Sequence, residues 1–214
     1  MAEIGRIERP LAGAFTGKRK LYCVPNVYSF EGGPEDYQEL VNRFWNEVTS
    51  QLDRIEAAGR IVKVFCEHIS RVDEDALSSL AEVNGLAFAV VKKKLEEGAM
   101  LIRTEDEEIL GPFLDWGNCL PLVRTKAVLG KILEVYSELS ERRLRFIEEA
   151  IGMNLSDGEA GLLIMRDEDR MRLRLPEDIE IFLVIPPTYD GILRWFREKM
   201  KEKGNESADS RRND

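Results

Sequence analysis

Apolar residues recur along this chain in two rhythms, one of short continuous runs and one of three- and four-residue steps. Leu21-Tyr22-Cys23-Val24, closed by Pro25, is a run of the first kind and predicts a strand. Gly32-Gly33-Pro34 then makes a turn, with proline at a first-turn helical position where its missing N–H costs nothing. Tyr37, Leu40, Val41, Phe44, Val48, Leu52 and Ile55 follow at helical spacing, and Gly59 ends that helix. The β-branched run from Ile61 to Phe65 predicts a buried strand.

Asp73 is a cap for the next helix, whose Leu77, Leu80, Ala81, Phe88, Val91 and Leu95 share a face; Asn84-Gly85 breaks or kinks it. After Gly98, Ala99 to Ile102 predicts a third strand. Thr104-Glu105-Asp106-Glu107 has the form of a capping box, and Pro112 limits or kinks the helix it opens. Thr125 is placed to cap a long helix over 126–152, with Leu129, Ile132, Leu133, Tyr136, Leu139, Phe146 and Ile147 inward. Gly161 to Met165 predicts a fourth strand, and Asp167-Glu168-Asp169 turns the chain. Met171, Leu173 and Leu175 alternate with Arg170, Arg172 and Arg174 as in a half-exposed strand. Ile179 to Ile185 predicts another strand, closed by Pro186-Pro187. Thr188 then caps a last helix bearing Tyr189, Ile192, Leu193, Phe196 and Met200.

Strands alternating with helices predict a three-layer α/β/α fold, its mostly parallel or mixed sheet of four to six strands covered by helices on both faces. The expected organisation is a loose arm over 1–20, one domain over 21–200, and a charged, disordered tail over 201–214.

Composition narrows the function classes. A formal net charge of −9 disfavours nucleic-acid binding, although Arg142, Arg143, Arg145 and the row Arg170, Arg172, Arg174 are locally basic. No apolar run reaches the length of a membrane span or a signal peptide, so a cytoplasmic protein without a membrane partner is expected. Cys23, Cys66 and Cys119 form no C-x-x-C pair, and with the one histidine they cannot make a typical zinc site. No glycine-rich nucleotide loop or G-x-S-x-G elbow occurs, and nothing in the sequence names a cofactor or calls for a metal. One His and two Gln beside abundant Glu, Lys and Arg is a bias of heat-adapted proteins, which makes a thermophilic source an expectation.

Ligands of open parallel sheets bind beyond the carboxyl ends of the strands. The polar residues there are Asn26 and Tyr28, Glu67 and His68, Arg103 and Glu105, Arg166 and Asp167, Thr188 and Tyr189. Glu67 and His68 are the candidate catalytic pair, because an imidazole next to a carboxylate can move protons near neutral pH. Arg103, Arg142, Arg166 and Tyr189 are the candidate ligand-binding residues. Each has a plain alternative: a hydrogen-bonded strand-end histidine, a solvated charged turn, or an ion-paired helical face.

The stretch 140–186 resembles the C-terminal part of the TraB/PrgY-type superfamily. The resemblance lies in Glu141-Arg142 on a helix, a short loop, a buried strand from Leu162 to Met165, and a second strand from Ile179 to Ile185. It implies peptidase-like or haem-related activity using histidine and glutamate. Where that superfamily carries a glycine-and-histidine motif after the strand, this chain has Arg166-Asp167.

Two functions are therefore expected to compete. One is a small-molecule-binding or hydrolase-like protein with a polar pocket at the strand ends. The other is an interaction module or homo-oligomeric scaffold, suggested by Trp195 beside the Ile192/Phe196 stripe of the last helix.

Overall fold

A computed structural model describes residues 17–30 and 32–210, with side chains as far as Glu202. Five strands, β1 (Arg19–Pro25), β2 (Ile61–Cys66), β3 (Met100–Ile102), β4 (Ala160–Met165) and β5 (Ile179–Leu183), form one sheet in the order β3-β2-β4-β1-β5. Every pairing is parallel. Helices α1 (Glu35–Ile55), α2 (Glu74–Val83), α3 (Gly85–Glu96), α4 (Glu107–Cys119), α5 (Lys126–Asn154), α6 (Asp167–Arg170) and α7 (Thr188–Ser210) make the connections and the C-terminal element.

The central strands are largely apolar, β4 without exception, because helices cover both of their faces. Along β1, Tyr22 and Val24 join one cluster with Phe44, Val48 and Leu52 of α1, Val91 of α3 and Ile192 of α7. Leu21 and Cys23, of opposite parity, join a second cluster with Leu144, Ile147 and Ile151 of α5. Strand β4 divides likewise, Leu162 and Ile164 toward the first cluster and Leu163 and Met165 toward the second. Gly161 is required where these layers are tightest, since a Cβ there would lie 2.9 Å from Cε2 of Phe65.

Several local expectations give way to tertiary demands. The helix expected from Asp73 onward is two helices. Asp73 caps α2, and Asn84 accepts the Ala87 N–H to cap α3. The capping box does not form: α4 begins at Glu107 with Asp106 as its cap, because Thr104 and Glu105 are engaged elsewhere. Pro112 lies inside α4, which continues to Cys119. Thr125 occupies the N-cap position of α5 but makes no side-chain cap bond.

The acidic turn is the short helix α6, and 171–178 is irregular, not a strand. Arg170, which ends α6, and Arg172 form ion pairs with Asp167 and Asp169, so no sheet edge is needed to order them. Strand β5 stops at Leu183, two residues early. Helix α7 continues to Ser210, so the expected charged tail is helical that far, and 211–214 lie outside the described residues. Of the expected N-terminal arm, 1–16 also lie outside them, while Arg19 and Lys20 already belong to β1.

Candidate functional site

Because all five strands run in one direction, their carboxyl ends share a rim. The ladder extends one residue past β1 and β2: the Asn26 N–H bonds Met165 O and the Glu67 N–H bonds Ile164 O, each at 2.9 Å. Alternation then fixes where Glu67 goes. Phe65 faces α5 and Cys66 faces the opposite layer, so Glu67 returns to the α5 side and is fully buried there.

What meets it is Arg143, a buried arginine on the sheet-facing side of α5. Its Nε donates to Glu105 Oε1 and Oε2 at 2.9 and 3.0 Å, and its Nη2 donates to Glu105 Oε1 at 2.6 Å. Nη1 donates to Asp169 Oδ2 at 2.8 Å, and Nη2 lies 3.5 Å from Glu67 Oε2. The guanidinium carbon also sits 5.1 Å from the centroid of the Phe113 ring. Burial opposes the charge on Arg143, yet the surrounding carboxylates raise its pKa above the ordinary value. Burial pushes the Glu105 carboxyl up, against the pull of Arg143 and of the His68 N–H. Arg166, the second arginine of the cluster, donates to Asp169 Oδ2 at 3.2 Å and lies 3.8 Å from Glu67. Two guanidiniums thus hold three carboxylates.

Residues 66–69 make a tight turn, with the Ile69 N–H bonded to Cys66 O. His68 occupies the position of positive φ, at 70°, and is the only non-glycine residue with positive φ among those described. The segment after β3 clamps this turn. Thr104 Oγ1 donates to Cys66 O, the N–H groups of Thr104 and Glu105 bond Ile69 O, and Glu105 accepts the His68 N–H at 3.2 Å.

Tyr28 connects the histidine to Glu67. Its hydroxyl donates to Glu67 Oε1 at 2.9 Å and accepts from Asn26 Nδ2 at 2.8 Å, while His68 Nδ1 lies 3.5 Å away. With the hydroxyl proton directed at Glu67, the Tyr28 oxygen can only accept from the imidazole. Of the two neutral tautomers, the one with its proton on Nδ1 suits this contact, and it leaves a lone pair on Nε2. Nε2 is buried without a hydrogen-bond partner among the described residues. Burial lowers the His68 pKa below its usual 6.5, so the ring is neutral at pH 7. Burial, and then the neighbouring Glu67, push the Tyr28 phenol up, so it stays protonated.

His68 stands between two clefts. One, of about 420 Å³, is lined by Tyr28, His68 and Arg166 from the strand ends and by Phe113, Leu120 and Tyr136 from the α4–α5 side. The other, of about 220 Å³, runs past Ser70, Arg71, Ser79 and Leu80. The Arg166 side chain is 39% exposed, and its buried Nε has no hydrogen-bond partner among the described residues.

Of the residues expected from sequence, the structure brings Glu67, His68 and Arg166 together. Three others lie apart from both clefts. Arg103 pairs with Asp106 and lies over Phe146 at 5.0 Å, because Asp106 caps the adjacent α4. Arg142 is exposed, one residue short of the face of α5 that meets the sheet. Tyr189 packs against Phe44 with ring centroids 5.8 Å apart, and burial pushes its phenol to about 12. Sequence reasoning placed Asn26, Tyr28 and Glu105 at strand ends without a catalytic or binding role, and it read Arg143 only as part of a basic helical stretch and Asp169 only as part of an acidic turn.

Cys23 and Cys66 are buried free thiols, and burial pushes Cys23 to about 12. Among the described residues no group of three or more His, Cys, Asp or Glu is disposed to hold a metal ion, and no helix is long and apolar enough to cross a membrane. Comparison with protein-family models, with curated proteins and with solved structures gives no match to this chain.

Proposed function

We infer that the strand-end rim is the active site of a hydrolase-like enzyme acting on a small carbonyl substrate. The observation that carries this reading is His68, held in a left-handed turn between two clefts with Nε2 unpartnered. Backbone strain of this kind gathers at functional sites. In the proposed reaction a rotation of the His68 ring brings the buried Nε2 to the cleft, where it takes a proton from water as the water oxygen attacks the carbonyl carbon. Glu67 stabilises the imidazolium through Tyr28. The carbonyl oxygen gains the π electron pair and receives N–H groups of Arg166. Collapse of the adduct expels the leaving oxygen, which takes the proton back from Nε2.

The test begins with p-nitrophenyl esters and the His68→Gln and Arg166→Gln proteins. Expected is a loss of 10²-fold or more for His68→Gln, the usual contribution of a general base. Because the chain has one histidine, long-range ¹H–¹⁵N spectra also give its tautomer directly. A proton found on Nε2 at pH 7.5, or undiminished turnover by His68→Gln, ends this reading.

The TraB/PrgY resemblance stands beside it as a separate proposal, and the stretch that carries it supplies Arg143, Arg166 and Asp169 to the cluster. An intracellular setting belongs to the same proposal, supported by the three free cysteines. A second reading, self-association, is favoured by the exposed apolar side chains Phe30, Leu193, Phe196 and Met200. Light scattering that gives one monomeric mass from micromolar to millimolar concentration removes it.

A further inference from the structure

The strand ends supply Tyr28, His68 and Arg166 to the larger cleft, but its opposite wall, though it includes Asn118, has a different character. Fifteen residues, 109–123, carry a single charged side chain, Asp115, in a chain that is 33% charged. In most surface helices such a stretch would be covered. Here α4 packs on α5 through a small cluster, Leu110, Phe113 and Leu139 with Ile109, Val135 and Tyr136 against it, apart from the two main cores. Much of its apolar surface stays open: Leu114 is 40% exposed and Leu122 is 77% exposed.

The Phe113 ring stacks on Tyr136 with centroids 4.8 Å apart and an interplanar angle of 19°. Both rings line the cleft, together with Leu114 and Leu120. Leu133, 46% exposed, and Leu129 precede Tyr136 by three and seven residues on α5, so they extend its face outward from the cleft. The cleft is therefore polar at the end where His68 and Arg166 stand and apolar from there outward. Its volume of about 420 Å³ falls in the range of small-molecule sites.

We propose that the substrate is an ester whose acyl part is a medium-length alkyl chain or an aromatic ring, seated against Phe113, Leu114, Leu120 and Tyr136 with its carbonyl at His68 and Arg166. This substrate class rests on the hydrolase reading of the same site. A short acyl group reaches the catalytic end but leaves the apolar wall wet. A longer one removes that wall from water, and each buried methylene contributes on the order of a threefold to fourfold gain in binding.

The experiment compares p-nitrophenyl acetate with p-nitrophenyl octanoate, and separately titrates decanoate while the His68 imidazole signals are followed by NMR. Expected is a kcat/KM at least tenfold higher for octanoate, together with a saturable shift of the His68 signals by decanoate but not by acetate at equal concentration. Leu120→Asp, and Leu114→Glu at the more exposed position, are expected to lower octanoate turnover more than acetate turnover. They should also weaken decanoate binding. Equal kcat/KM for the two esters, with turnover still dependent on His68, overturns the substrate class and leaves the hydrolase reading standing. Decanoate shifting His68 while neither ester is hydrolysed supports the apolar seat and removes the hydrolase reading. No ester turnover and no shift with decanoate overturns both.

Discussion

At the scale of single residues, the site depends on Arg143 more than on any catalytic candidate. Among the described residues it is the only cation in contact with all three buried carboxylates, Glu67, Glu105 and Asp169. Removing one partner of such a network leaves charges buried without compensation, which typically costs about 3–5 kcal/mol. Arg143→Met is expected to lose that much in urea unfolding, and Arg142→Met, one residue away and exposed, less than about 0.5 kcal/mol.

His68 makes a second prediction. Its pKa is lowered in the folded chain, so the unfolded chain binds the proton first as pH falls. Stability is full above the ordinary value of 6.5 and declines as pH drops through it toward the folded value. Unfolding free energies at pH 7.5 and 6.0 should differ in that direction for the native protein, and the difference should shrink in His68→Gln. Glu67, His68 and Arg166 were legible because each follows an apolar run at a predicted strand end. Arg143 was not, because its role depends on which face of α5 meets the sheet. The signal was present: Leu139, Arg143, Ile147 and Ile151 step by four, with one charge in an otherwise apolar stripe.

At the scale of elements, the structure departs from local propensity where a loop serves the rim. Thr104 and Glu107 have the spacing of a capping box. The bonds of Thr104 and Glu105 to Cys66, Ile69, His68 and Arg143 hold the 66–69 turn instead, and Asp106 takes the capping role. The junction at Asn84 shows the same double use. Asn84 caps α3, and its Nδ2 also donates to Asn26 Oδ1 at 2.8 Å and to Val27 O at 3.0 Å. Asp73 makes one exposed cap bond, to the Ala76 N–H. Asp73→Ala is expected to cost about 1 kcal/mol, as caps generally do. Asn84→Ala should cost roughly 2–3 kcal/mol in thermal or urea unfolding, since buried partners lose their bonds as well. Equal losses at the two caps would show that the Asn26 link contributes nothing. The break at Asn84-Gly85 could be expected from sequence; the buried bonds that exploit it involve residues nearly sixty positions earlier and could not.

For the whole molecule, periodicity identified an α/β class with helices on both faces, and the five-stranded parallel sheet agrees. Strand order was out of reach, because parallel strands of similar apolar composition carry no local mark of their neighbours. That order brings β4 against both β1 and β2, and the contact is close enough to dictate a glycine. Gly161→Ala is expected to destabilise by about 1–3 kcal/mol through crowding against Phe65, measurable as a lowered unfolding midpoint.

The same insertion has a consequence for how the protein comes into being. Since β4 separates β1 from β2, these two strands leave the ribosome with no backbone hydrogen bonds to form with each other. Asn26 and Glu67 acquire their shared neighbours only when Ile164 and Met165 arrive between them. A chain released after residue 159 should keep helical content yet lack protected amides in β1 and β2. The chemistry of the rim would then be switched on late in synthesis, as a single event.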